Sequence, residues 1–263
     1  MEKSKRMASR SENQSDIQNI STNQANLENN FYKGKISLNI PMYTIAFASF
    51  VYPPLVGVFC LIVYILEGRI AGYLPTISET GTDHPNTNYF AIFMSTGAIS
   101  TIVTLFFYFN SFVLARRLQK KEKIEKKSLF DKNFTFLEKV LIILIFTSTY
   151  GIVALGFSPI NEAHSRHLLS AVIGFLSILI FELITFLNDP NKTGTLVKII
   201  RWTSWTIAIL SFILFAAAKW VFSHRIDVTI STFAEWFLLV FMLFVYSTWK
   251  KELNSYELSL VIL

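Results

Sequence analysis

Charge is what this chain has least of: Asp, Glu, Lys and Arg make up 16% of its 263 residues, against 52% hydrophobic side chains and a mean hydropathy of +0.44. A soluble globular domain carries roughly a quarter charged residues, so an ordinary soluble enzyme is the wrong starting class. One cysteine, Cys60, excludes a disulfide-stapled secreted scaffold. Ten Gly and seven Pro are too few for a collagen-like or linker-dominated chain. No Gly-x-Ser-x-Gly elbow, Gly-rich phosphate loop or dinucleotide fingerprint is present, and no cofactor is expected. From Met1 to Asn30 there is Ser, Asn, Gln, Glu and Lys, with no apolar run that could form a signal-peptide core.

What is abundant is apolar chain in long runs. Six segments, near Tyr43–Leu66, Tyr89–Ala115, Val140–Phe157, Leu168–Leu187, Trp202–Phe222 and Ser231–Trp249, are apolar and long enough to cross hydrocarbon roughly 30 Å thick. They lack the period-2 alternation of a β-barrel. Buried helices of a soluble core would need a polar outer face that the sequence does not supply. The expected fold is therefore all-α, a polytopic membrane bundle of six transmembrane helices spanning residues 41–250. A disordered polar tail (1–40) precedes it and a short C-terminal tail (251–263) follows. Pro53 and Pro54 fall inside the first span and are expected to kink it, because proline removes a backbone donor and crowds the preceding turn.

The net charge of +6 acquires meaning from its layout. Twenty of the 24 Lys and Arg lie on the side of the two termini; only Arg69, Arg166, Lys219 and Arg225 lie opposite. The positive-inside rule then places both termini in the cytosol, and the basic residues are topology signals, with no nucleic acid as partner. Asn13, Asn19, Asn133 and Asn191 each head a glycosylation triplet but fall on the cytosolic side, so no N-glycan is expected.

Within the spans, small and hydroxylated residues form stripes. Gly97, Thr101, Thr104, Tyr108 and Ser111 recur at four- and three-residue steps in span 2, a pattern that reads first as a helix-packing seam. In span 4, His167, Ser170, Gly174, Ser177, Glu182 and Thr185 share one face. Glu182 is the ionisable group deepest in a span. Its place about five residues from the cytosolic end favours a structural carboxylate that snorkels to the headgroups over a functional one.

Polar residues converge at the outer end. Glu162, His164, Arg166 and His167 open span 4, Lys219, His224 and Asp227 flank the turn before span 6, and Glu235 lies one turn into it. The first outer loop adds Glu79, Asp83 and His84. Imidazole and carboxylate suit zinc, yet His164 and His167 are three apart, outside the His-Glu-x-x-His frame, and no cysteine joins them. A salt-bridge and hydrogen-bond network near the headgroups is the simpler expectation, with no metal. On the cytosolic side Arg116, Arg117, Lys120 and Lys121 begin a basic run that either attracts anionic lipid or only enforces topology.

The loop Leu74-Pro75-Thr76-Ile77-Ser78-Glu79-Thr80-Gly81-Thr82-Asp83-His84-Pro85 resembles the Pro-x-Ile-Ser-Asp/Glu-Thr-Gly segment of the DRAM/Frag/Sfk family of damage-regulated autophagy modulators and relatives. A histidine at the outer start of the fourth span and Glu235-Trp236 near the start of the sixth extend the resemblance over roughly residues 40–250. It implies a multi-pass protein of lysosomal or vacuolar, Golgi, endoplasmic-reticulum or plasma membranes. It also implies roles in autophagy, kinase recruitment and phospholipid asymmetry, or GPI-anchor lipid remodelling.

The loop reads as a lid, its backbone restricted by Pro75, Gly81 and Pro85. As such it would orient Glu79 toward His164, His167 and Glu235, making a polar pocket for a lipid headgroup. The leading expectation is a non-enzymatic regulator that binds membrane lipids or a membrane-protein partner there. An enzyme-like lipid or GPI-anchor remodelling factor is the alternative. A transporter is disfavoured, because Pro53-Pro54 has no counterpart in spans 4 to 6.

Overall fold

A computed structural model describes residues 36–69, 74–119, 134–190, 193–220, 225–254 and 257–262, with side chains placed except at 36–39, 219–228 and 257–262. The four sequon asparagines, Lys120, Lys121 and residues 1–35 of the expected tail lie outside the described residues. So do the side chains of Lys219, His224 and Asp227.

Six helices carry stretches long and apolar enough to cross a membrane: α1 (Met42–Leu66), α3 (Asn86–Gln119), α4 (Phe136–Gly156), α5 (His164–Leu187), α6 (Thr195–Trp220) and α7 (Arg225–Ser247). Two single-turn helices, α2 (Ile77–Thr80) and α8 (Lys250–Leu253), cap opposite ends of the bundle. Strands β1 (Ile36–Pro41) and β2 (Glu257–Ile262) pair as a two-stranded sheet, and the helices belong to one compact unit, residues 40–257.

The helix ends follow local chemistry. Thr135 and Glu138 form a reciprocal capping box that starts α4, each side chain bonding the other's backbone N–H (3.4 and 2.8 Å). Gly68, at φ +71°, closes α1 in a conformation that an L side chain resists. The helix α1 runs unbroken through Pro53 and Pro54. Most helices start a few residues before the expected spans, α7 at Arg225 instead of Ser231, and two differences change the reading of a residue. The helix α6 begins at Thr195 instead of Trp202, so Arg201 is a helical residue and not a loop charge. In the expected C-terminal tail, Glu252 and Leu253 are buried against the bundle.

In spatial order the helices form a closed ring, α1–α3–α4–α5–α6–α7 and back to α1, with α2 lying on α1 and α7 and α8 lying on α3 and α1. The seam between α5 and α6 is the sparsest. A small cluster of Leu168, Phe215 and Ala234 and the bond from Trp205 Nε1 to the Leu179 carbonyl (2.9 Å) hold it. By contrast α4 and α5 touch backbone to backbone: a Cβ at Gly151 would sit 2.3 Å from the Gly174 nitrogen. Glycine there is what permits the approach. Both predicted stripes are buried as packing seams, with the Ser49 and Thr104 hydroxyls bonded between α1 and α3 (3.0 Å).

Candidate functional site

The end of the ring that carries α2 gathers the predicted polar cluster, with one residue exchanged. Glu79 does not point into the bundle. It turns back to accept the Thr76 N–H (2.8 Å), while Thr76 Oγ1 accepts the Glu79 N–H (3.1 Å), a second capping box that defines α2. The residue that enters is its neighbour Ser78, 4% exposed. Its hydroxyl lies 2.5 Å from Glu235 Oε1 on α7 and 2.9 Å from His167 Nε2 on α5, and its N–H also reaches Glu235 Oε1 (3.3 Å). His167 is fixed from behind, with Nδ1–H donated to the Ser158 carbonyl (2.5 Å).

Ser78 therefore joins three elements far apart in sequence. A serine hydroxyl has one hydrogen to give, so of its two partners one must donate to it. Either an imidazolium faces a carboxylate across Ser78, or a neutral imidazole faces a carboxylic acid. The lid is pinned a second time where Thr232 Oγ1 on α7 donates to the Leu74 carbonyl (2.9 Å).

The other predicted outer residues stay apart from this trio. Asp83 sits on the rim in an ion pair with Arg69 (2.7 Å), and Asn161 Nδ2 reaches it at 3.4 Å. Among the described residues His84 contributes its carbonyl, which accepts from Arg69 (3.3 Å), and its side chain is exposed. His164 is exposed and faces a separate groove of about 300 Å³ along α5, lined by His164, Ser165, Leu168, Leu169 and Val172. The expected pocket of Glu79 with His164, His167 and Glu235 is thus replaced by a closed Ser78–His167–Glu235 lock and an open groove one turn away. Among the described residues no three His, Cys, Asp or Glu side chains gather where a metal ion could be held.

At the opposite end, which bears α8 and is called here the terminal end, the arrangement differs. Arg201 is 3% exposed and bonds Thr248 Oγ1 (2.8 Å), the Thr248 carbonyl (3.0 Å) and Glu252 Oε1 (2.7 Å). Ser111 donates to the Glu252 carbonyl (3.0 Å), and Trp249 stacks between Tyr108 (centroids 3.9 Å) and Tyr246 (4.6 Å). Glu182 does not snorkel: it is wholly buried, and among the described residues neither carboxyl oxygen has a hydrogen-bond partner. Of the basic run, Arg116 packs over the Phe112 ring (5.7 Å) and Arg117 pairs with Glu138 (3.8 Å).

Sequence reasoning missed Ser78 and Arg201. The first was signalled by Thr76-x-x-Glu79, a capping-box spacing that commits Glu79 to its own helix start. The second was signalled by Lys198, Arg201 and Trp202, three-and-four-residue steps that continue the helical face of span 5.

Six apolar helices in a closed ring, with a lid at one end and buried polar ties at both, define a polytopic integral membrane protein. A family model described as the Frag1/DRAM/Sfk1/Cwh43P N-terminal domain matches residues 41–255, and the chain belongs to that family. No curated protein and no solved structure matches it.

Proposed function

We propose that the protein is a non-enzymatic membrane regulator whose lipid-binding element is the groove along the first two turns of α5. The supporting observation is how that groove is lined. His164 and Ser165 stand at its mouth and Leu168, Leu169 and Val172 below them, the order in which a headgroup and an acyl chain present themselves. His167 lies on the same turns, so an occupant of the groove acts on the helix that carries the lock holding the lid. The twenty-to-four distribution of Lys and Arg supports cytosolic termini, which puts lid and groove in the outer or luminal leaflet. The membrane is an endomembrane or the plasma membrane. The regulated process is membrane lipid composition or autophagic flux, with lipids and possible membrane-protein partners as ligands.

One observation favours a second reading, a lipid or GPI-anchor remodelling factor: Ser78 Oγ lies 2.9 Å from His167 Nε2, within reach for a base and its nucleophile. Against it, both the hydroxyl and the N–H of Ser78 are engaged by Glu235, and Ser78 is buried. An acyl transfer also needs free donors for an oxyanion.

The test is to fill the groove with Leu169→Trp and Val172→Trp and to follow adducts of a photoreactive phospholipid on α5, together with the lipid profile of a deletion strain carrying each variant. Loss of both the adduct and rescue, with unchanged thermal stability, is the expected result. Full rescue by both Trp variants, with loss of rescue in a stably folded Ser78→Ala protein, would favour the remodelling factor and sink the regulator.

A further inference from the structure

A second site lies at the terminal end, independent of the groove on α5. The end of α5, the turn after it and the first turns of α6 enclose a cleft of about 130 Å³ lined by Phe186, Asp189, Thr193, Lys198, Arg201 and Trp202. Unlike the interior cavity under the lid, which is apolar, this cleft has charged walls.

Its base is built, because Arg201 is held immobile by three hydrogen bonds that use Nε and Nη2. The remaining nitrogen, Nη1, has no hydrogen bond among the described residues. In a side chain that lines the cleft, it is the nitrogen left to face the space. Lys198 stands one turn earlier on the same face of α6 and is exposed, and Trp202 follows Arg201. The carboxylate of Asp189 is turned to its own loop, where Oδ2 accepts from Thr193 Oγ1 (2.5 Å) and the Thr193 N–H (3.4 Å). Gln119, at the end of α3, donates to the Pro190 carbonyl and ties that loop in place.

We propose that this cleft binds the phosphodiester of a glycerophospholipid from the leaflet on the side of the termini. Lys198 and Arg201 Nη1 are the donors, and Trp202 stands at the level of the glycerol. Among the described residues that line the cleft, the donors with open N–H groups are two, Lys198 and Arg201. Two well-placed donors match the two free oxygens and single charge of a phosphodiester. Tryptophan is the side chain that settles at the membrane–water boundary, polar edge toward the headgroups, and Trp202 is 37% exposed beside the cleft. Restraint of Arg201 by Glu252 and Thr248 means that little side-chain freedom is lost when the ligand arrives.

The test uses the full chain in nanodiscs doped with a phosphatidylcholine bearing a photoreactive group near the glycerol, with adducts mapped by peptide mass spectrometry. Both Lys198→Glu and Trp202→Ala change exposed side chains and leave the buried Arg201 ties intact, which a melting curve verifies. An adduct on residues 186–202 that falls about tenfold in each variant, and is untouched by Leu169→Trp in the α5 groove, is the expected result. Equal labelling of wild type and both variants overturns the site. Displacement by inorganic phosphate overturns the lipid as its source, and stronger competition by phosphatidic acid than by unlabelled phosphatidylcholine overturns the preference for a diester.

Discussion

The two ends of this bundle solve the same problem differently. Each buries carboxylates contributed by the last part of the chain, Glu235 at the lid and Glu252 at the terminal end. At the lid, the carboxylate meets a serine that a histidine on a third element also bonds, and the lid helix is the piece held. At the terminal end the carboxylate meets an arginine, and the piece held is the start of α6.

The ends also differ in what stays unpaired. Among the described residues, Asn86, Ser231 and Trp236 leave single atoms without partners near the lid, but the terminal end buries an entire unpaired carboxyl, Glu182, together with Tyr246 Oη, Trp249 Nε1 and Glu252 Oε2. Polar groups in an apolar interior are costly unless matched. The lid end therefore reads as a fastening, and the terminal end as a chamber that tolerates unmatched polarity.

Substitutions at the two ends test whether this contrast holds. Arg201→Leu strands Glu252 without its cation, and a loss of about 3–5 kcal/mol is expected in the unfolding of solubilised protein. Replacing both by Met is expected to recover most of it; a double variant as unstable as the single one would show that Arg201 acts by packing alone. At the lid, Ser78→Ala removes the hydroxyl between His167 and Glu235 and is expected to cost about 1–3 kcal/mol. Glu235→Gln retains an acceptor oxygen for Ser78 and is expected to cost less than Glu235→Ala, an order that melting temperatures of the pair would check.

Glu182→Met removes the orphan carboxyl and is expected to stabilise by about 1–2 kcal/mol, since a matched apolar replacement lifts a burial penalty. A destabilised variant would mean that Glu182 holds something in the intact protein. Smallest of all, Gly97→Ala adds a methyl toward a 40 Å³ apolar cavity, where the nearest atom is Pro53 Cγ at 3.9 Å. A gain of about 0.5–1 kcal/mol is expected, mostly from reduced freedom of the unfolded chain.

How far the chain could be read ahead of its structure varies between these ends. Span number and buried faces were legible, because length, hydropathy and the 3.6-residue period are local properties of a sequence. All six polar or small residues picked out on span 4, from His167 to Thr185, are buried. The lid was legible as a segment but misassigned by one residue, since Glu79 and Ser78 differ only in which faces inward, and that follows from the cap at Thr76. The terminal chamber was not legible. In the sequence Arg201 reads as a topology charge, and nothing local indicates that it meets Thr248 and Glu252 some fifty positions later.

The glycine contact between α4 and α5 has a consequence for measurement within the molecule. Ser158 lies seven residues beyond Gly151, just past the end of α4 at Gly156, and His167 lies seven residues, about two helical turns, back from Gly174, both roughly 10 Å along antiparallel axes. Gly151 and Gly174 thus act as a zero mark from which two equal rulers are laid off, and the bond between His167 and Ser158 is where their ends coincide. Were one helix to slip by a residue, a side chain would be driven into the space that only glycine leaves open, and the imidazole would miss its carbonyl. The height at which the lid is latched is thereby calibrated from the middle of the bundle.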